Sequence, residues 1–354
     1  MKKRTFILCL ACLFAISLFA VTASGAENKG EVKVTSSGFT VKFTPTEEDF
    51  SIIAQGVAAI DPAKFTTVSL YSTDDATLAR IAETYPNIAD FTVSNAGHGS
   101  KGHVGITTLA PLAKLTKLRV LTLQQFPNGK DMDLSVLATA TELKHVKLQN
   151  NTEMDTGPLG KIPSIEGLDL ASTTPNLACV ANLPNLKLLS INANPLDDYG
   201  PIGKSTVATL MIDNINQELD LGFLGTMPNI ERLNIRRQEG LSNFAAIGNL
   251  TTLKDLRLEA INTKKGDPVD LSFISKLPEL QTLNLINKTP VINFESLAGT
   301  TKLFKLDMDK TAGVTTLAPL KGLEKLSNLG VSKGAFSEEE LTGFANPKIK
   351  IYQR

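Results

Sequence analysis

One spacing returns down most of the chain: leucine, or an apolar substitute, at the first, fourth and sixth places of a short segment. It stands at Leu118/Leu121/Leu123, Leu143/Val146/Leu148, Ile165/Leu168/Leu170, Leu186/Leu189/Ile191 and Val207/Leu210/Ile212. It continues at Ile230/Leu233/Ile235, Leu253/Leu256/Leu258, Leu280/Leu283/Leu285, Leu303/Leu306/Met308 and Leu326/Leu329/Val331. Successive segments begin 21 to 27 residues apart. That period is too short for helical arrays, whose units take about 33 residues or more. A strand points alternate side chains to opposite faces, so Leu121 and Leu123 face one way and Val120, Thr122 and Gln124 the other. Upstream of each strand the apolar spacing changes to every third residue, as in Leu109, Leu112, Leu115, Leu118 or Leu317, Leu320, Leu323, Leu326. A period near three suits a 3₁₀ or short helical return. No single unit can bury its own leucines, so each depends on its neighbours. The expected fold is α/β: a curved, right-handed solenoid with a parallel sheet on the concave face, short helices on the convex face and capped ends.

The convex segment Thr107-Thr108-Leu109-Ala110-Pro111-Leu112-Ala113-Lys114-Leu115-Thr116-Lys117-Leu118 resembles that of bacterial leucine-rich-repeat proteins of the internalin class. Thr315 to Leu320 repeats its first six letters, and the resemblance covers residues 107–335. It implies the solenoid fold. The asparagine that the family places three residues after the last strand leucine survives only at Asn151 and Asn194. Elsewhere the place holds Phe126, Thr173, Ile215, Gln238, Ile261, Lys288 or Thr311, so those turns are expected to be satisfied by main chain or water. The family's wall-attachment signals are missing, so its surface location and invasion role do not carry over.

The ends read as caps. Phe65/Val68/Leu70 and Ile88/Phe91/Val93 keep the strand spacing but are preceded by helical stretches. These run over about 47–60 and over 75–84, the latter behind a Thr73 cap with Asp74 and Asp75 in its first turn. Ser337 with Glu340 reads as a capping box opening a short helix before a last strand at Ile349/Ile351. The expected divisions are a signal peptide over 1–26, an N-terminal cap with degenerate repeats over 27–106, the array over 107–335 and a C-terminal cap over 336–354.

The signal peptide rests on Lys2-Lys3-Arg4, an apolar run from Phe6 to Val21 and the small residues Ser24-Gly25-Ala26 before Glu27. The run is shorter than the ~20 residues a membrane-spanning helix needs. Cys9 and Cys12 lie inside the run, where they fit neither a lipid anchor nor a retained redox pair. The mature chain keeps one cysteine, Cys179, so no internal disulfide forms and stability rests on the core. The formal charge is zero, and losing Lys2, Lys3 and Arg4 leaves three more acids than bases. That balance does not suggest nucleic acid or an anionic membrane as partner. A secreted or periplasmic monomer follows.

Catalytic and metal motifs are weak. Gly203-Lys204-Ser205-Thr206 resembles the end of a phosphate-binding loop, but Asp198 stands where its first glycine belongs. His98 and His103 flank a glycine-rich insertion with no third metal ligand nearby. His145 falls on the concave side of a strand. Cys179 has small apolar neighbours and reads as a packing residue. Glu338-Glu339-Glu340 and Glu47-Glu48-Asp49 read as complements to helix dipoles. No enzyme and no cofactor is expected. The alternatives are a structural protein of the cell envelope, or a hydrolase using residues 27–106 with His98 or His103 in its pocket.

The expected function is recognition of a protein partner outside the cytoplasm through the concave face. Charge concentrates there in the C-terminal strands: Arg232, Asn234 and Arg236, then Asp255, Arg257 and Glu259, then Asn284, then Lys305, Asp307 and Asp309. Such a pattern would set specificity and encounter rate more than affinity. The competing reading is a solvated face whose charges neutralise one another across strands. Insertions at 94–106 and 262–268 each follow a strand and could wall the groove.

Overall fold

The computed structural model describes residues 31–96, 105–173, 177–287 and 289–354. The signal-peptide segment, His98 and His103 lie outside the described residues. A hairpin of β1 (Glu31–Val34) and β2 (Gly38–Lys42) opens the sheet. Parallel strands follow one per repeat: β3 (Thr67–Tyr71), β4 (Asp90–Ser94), β5 (Val120–Gln124), β6 (His145–Gln149), β7 (Gly167–Ala171), β8 (Leu188–Asn192) and β9 (Thr209–Asp213). From there short strands alternate with long ones: β10 (Leu219–Asp220), β11 (Arg232–Arg236), β12 (Leu241–Ser242), β13 (Asp255–Glu259), β14 (Val269–Asp270), β15 (Thr282–Ile286) and β16 (Val291–Ile292). The array closes with β17 (Lys305–Asp307), β18 (Asn328–Val331) and β19 (Lys350–Gln353). Fifteen of these form one sheet in sequence order, while β10 pairs with β12 and β14 with β16 on a separate side.

The register is unstaggered. Leu210, Leu233, Leu256, Leu283, Leu306 and Leu329 meet one another in turn across β9, β11, β13, β15, β17 and β18. All six are at most 1% exposed and belong to one apolar core running from Val32 to Val331. The period-three segments form 3₁₀ turns such as Ala110–Lys114, Leu134–Thr139 and Leu271–Lys276, whose leucines close the core from the convex side. Proline opens several of them, at Pro111, Pro158 and Pro319, where its missing N–H has no intrahelical partner to lose.

Most coils turn off the sheet through one residue with positive φ. Ser72, Gln125, Asn150, Ser172, Ala193, Asn214, Arg237, Ala260, Asn287 and Lys310 all follow a strand and fall between 44° and 65°. Behind this corner the buried backbone groups are satisfied by side chains more often than the sequence suggested. Asn151 accepts from the Phe126 N–H at 3.1 Å and donates to the Leu123 carbonyl at 3.0 Å. Asn194 accepts from Thr173 N–H at 2.8 Å. Gln238 performs the same task with a longer arm, accepting from Ile215 N–H at 3.0 Å and donating to the Gln217 carbonyl at 2.6 Å. The hydroxyls of Thr173, Thr289 and Thr311 donate to the carbonyls of Leu148, Leu258 and Leu285. The expectation of main chain or water therefore fails at Thr173, Gln238 and Thr311. In the repeat after β15 the Thr289 hydroxyl does this work, and Lys288 lies outside the described residues. Asn95 clasps both backbone groups of Ile106 at 2.9 and 3.0 Å.

The caps differ from expectation in detail. Helix α1 (Glu47–Ala58) begins with a capping box of Thr46 and Asp49. Helix α2 (Asp75–Thr84) is capped by Asp74, not Thr73: the Asp74 carboxylate accepts from Thr77 N–H at 2.8 Å. Thr73 is buried, and its hydroxyl has no hydrogen bond. An aspartate one place later meets the free amide with a full charge, which outcompetes a hydroxyl. Phe39, Phe65 and Tyr85 form an aromatic cluster under this cap, with centroids 5.3 to 6.1 Å apart. At the other end no helix forms after Ser337. Residues 338–341 make only a turn, because the Glu340 carboxylate reaches back to Leu317 N–H at 2.7 Å and caps the preceding repeat instead. Phe336, Leu341 and Phe344 from this segment pack on the last exposed core residues.

Candidate functional site

The sheet presents three columns of outward side chains, one column for each odd position of the five-residue strands. Because the register is unstaggered, neighbours within a column sit one strand spacing apart, ~4.8 Å. All ten charged or polar residues singled out from the sequence fall on or just beyond this face. They do not form one free array. Glu259 gathers three of its neighbours: Arg257 at 2.5 Å, Arg236 at 3.0 Å and the Asn287 amide at 2.7 Å. Burial pushes the Glu259 carboxyl up, but Arg257, Arg236 and Asn287 outweigh it and hold it below the ordinary glutamate range. Arg237 takes Asp213 through two hydrogen bonds of 2.8 and 2.6 Å. Asp307 is 6% exposed and accepts from Arg354 at 2.8 Å, across Gly330, where a Cβ would come within 2.6 Å of the carboxylate. Asp309 accepts from the Ser332 hydroxyl at 3.0 Å. Asn234 and Asn284 stand beside Arg257 in the middle column.

What remains available is narrower. Arg232 and Lys305 are exposed, and no ion pair reaches either among the described residues. Between them lies half-buried Asp255. Burial raises its carboxyl above the ordinary aspartate range, against the pull of Arg232, Lys305 and Arg257. Asn151 and Asn194 are buried and structural. The 262–268 insertion lies back along the array, where Thr263 bridges to Leu241 and Lys264 pairs with Glu218 at 2.6 Å.

The sequence reading missed the middle of the face. Val120, Leu188 and Met211 point outward from β5, β8 and β9, half-buried on the concave side. Ala171 and Ser190, on β7 and β8, are small. Over them lies a shallow depression of about 210 Å³, lined by Gln149, Asp169, Ser190, Asn192, Met211 and Asn234 among others. The available signal was Leu188-Leu189, which puts a leucine on both sides of one strand. Interface cores combine such apolar centres with a charged rim.

Along one edge of the sheet runs a chain of ion pairs. Glu142 pairs with Lys117 and Arg119, Glu166 with Lys144 at 2.7 Å and Lys187 at 2.8 Å, and Glu231 with Lys254. The Lys144 and Lys187 contacts hold the Glu166 carboxyl at about 2. Cys179 is buried, which pushes its thiol up and away from nucleophilic use. Among the described residues, no group of three or more histidine, cysteine, aspartate or glutamate side chains could hold a metal ion. Among them also, no helix is long and apolar enough to cross a membrane.

No family model matches the sequence, and no curated protein does. Solved structures do. An internalin (inlF) from Listeria monocytogenes matches 75% of this chain and 74% of its own at 21% identity and a TM-score of 0.54. Internalin C2 from the same organism matches 73% and 93% at 19% identity and a TM-score of 0.38. A leucine-rich-repeat protein from Leptospira interrogans matches 81% and 90% at 14% identity and a TM-score of 0.47. The fold is an internalin-like leucine-rich-repeat solenoid.

Proposed function

We propose that this chain is an exported, non-enzymatic protein that recognises another polypeptide on its concave sheet face, and works as a monomer. The observation that carries the reading is the make-up of that face. Leu188 and Met211 leave apolar surface on the adjacent strands β8 and β9, and along the same face from β11 to β17 stand Arg232, Asp255 and Lys305, which no ion pair occupies among the described residues. Apolar side chains facing water at the middle of a sheet gain from being covered, and free rim charges select what covers them. Fold alone does not assign this role. Export is supported by the basic start, apolar run and Ser24-Gly25-Ala26, and places the protein in the periplasm or outside the cell.

The test uses the full-length gene in an exporting host. Mature protein is expected to begin near Glu27 by intact mass. Used as bait on cell-envelope and extracellular extracts with photo-crosslinking, it should retain a protein that a Leu188→Glu, Arg232→Glu double variant of unchanged circular dichroism does not. Equal capture by both would move the binding surface off the concave face.

A further inference from the structure

We propose that the depression spanning β6 to β11 is a subsite for one arginine or lysine side chain of the bound polypeptide. This rests on the concave-face reading and makes it more specific. Its shape comes from two small residues. Ala171 and Ser190 lie among the longer Gln149, Met211 and Arg236, and the gap holds about 210 Å³, room for one side chain and not for a folded domain.

The chemistry of the lining has a sign. Asp213 is occupied by Arg237 and Arg236. Asp169 is half-buried, and no hydrogen bond or ion pair reaches its carboxylate among the described residues. The Asn234 amide oxygen, in the same lining, is buried and accepts no hydrogen bond among the described residues. Both vacancies are for donors. A partner that covered Asp169 with apolar atoms would bury a bare carboxylate, at a cost larger than its own contacts return. A partner that brings a guanidinium or ammonium turns that cost into a charge-assisted hydrogen bond. Half-buried Met211, in the lining, gives the aliphatic stem of such a side chain a surface to lie on. Arg236, in the lining itself, is held by Glu259 at 3.0 Å, so the rival cation is Lys147, opposite Asp169 in the register. Its side chain is exposed and makes no ion pair among the described residues, and its charge is felt instead at Asp90.

The probe is the blocked peptide Gly-Gly-Arg-Gly-Gly, titrated into the ¹⁵N-labelled mature protein and followed by amide shifts. The shifts should saturate and centre on Asp169, Ser190, Asn192 and Met211. The same peptide with citrulline for arginine should bind about tenfold more weakly or worse, as should the arginine peptide to Asp169→Asn. Lys147→Gln should strengthen binding, and Glu295→Gln, exposed in the 3₁₀ turn Phe294–Gly299 away from the sheet face, should leave it unchanged. Equal binding of arginine and citrulline peptides, shifts centred on Asp255 or Asp90, or binding seen only in Lys147→Gln would each overturn the subsite. If the peptide fails while the Leu188→Glu, Arg232→Glu bait still loses its protein, the subsite is wrong and the concave-face reading stands.

Discussion

Replacing Asn151 with alanine tests how the coils hold their corners. The Asn151 side chain is fully buried and bonds two main-chain groups of the preceding repeat, Phe126 N–H at 3.1 Å and the Leu123 carbonyl at 3.0 Å. Alanine leaves both without partners, and each orphaned buried group costs about 1–3 kcal/mol. A water entering the vacated space recovers part of that. The expected loss is therefore about 2–4 kcal/mol. Two neighbours serve as controls. Gln149→Ala removes a half-buried outward side chain and should cost ~0.5 kcal/mol or less. Asn150→Ala keeps the positive φ of 54° at a strained position and should cost about 1 kcal/mol. The chain has no tryptophan, so urea unfolding is read by far-ultraviolet circular dichroism. In a repeat array the damage can also appear as a separate early transition of the repeats before Asn151. A loss no greater than that of Gln149→Ala would refute the assignment of the corner to this side chain.

Other outcomes follow from the same packing. Leu256→Ala, buried between Leu233 and Leu283, should cost about 2–5 kcal/mol, whereas exposed Arg232→Ala should cost ~0.5 kcal/mol or less; the reverse ranking in urea would mean the strand register is wrong. Gly38→Ala places a Cβ 1.6 Å from the Thr67 carbonyl oxygen and should unseat the N-terminal hairpin, seen as loss of amide protection in β1 and β2 with the central strands unchanged. Glu166 has its carboxyl depressed to about 2, so its ion pairs contribute fully above the unfolded value of 4.5 and are lost as pH falls from there through 2. Carboxyl carbon shifts should give that midpoint, and Lys144→Gln should raise it. The Cys179 thiol should ignore a disulfide reagent in the folded protein and react after denaturation; rapid native labelling would contradict its burial.

The strands and the core were readable because leucine spacing encodes burial directly. Every strand of the main sheet from β5 to β18 lies where that spacing put it, while the two-residue strands β10, β12, β14 and β16 went unread. The β1–β2 hairpin went unread, although Val32/Val34 and Phe39/Val41 alternate on either side of a short turn. Its two strands are too short to stand out beside the longer repeat. At the face itself, a single strand tells which residues point outward but not what they meet. Arg236, Arg257 and Glu259 are spread over two repeats, and only the stacked sheet shows that they satisfy one another. Leu188 and Met211 were hidden for the opposite reason, since apolar residues in a leucine-rich pattern look like core. The corner residues defeated the motif because Gln238 and Thr289 reach the same carbonyls and amides from other lengths and positions.

The unstaggered register makes the sheet a ruler. From β3 to β18 every strand pairs with its neighbour residue for residue, so removing one whole repeat rejoins the remaining strands with their columns still aligned. Deleting residues 188–208 would join Lys187, at the end of the return that follows β7, to the start of β9 and bring Arg232 one step nearer to Lys147, by ~4.8 Å. Distances along the face are thus quantised: duplication or loss of a unit changes which partner spacing fits, and new core contacts arise only at the one junction where units meet afresh.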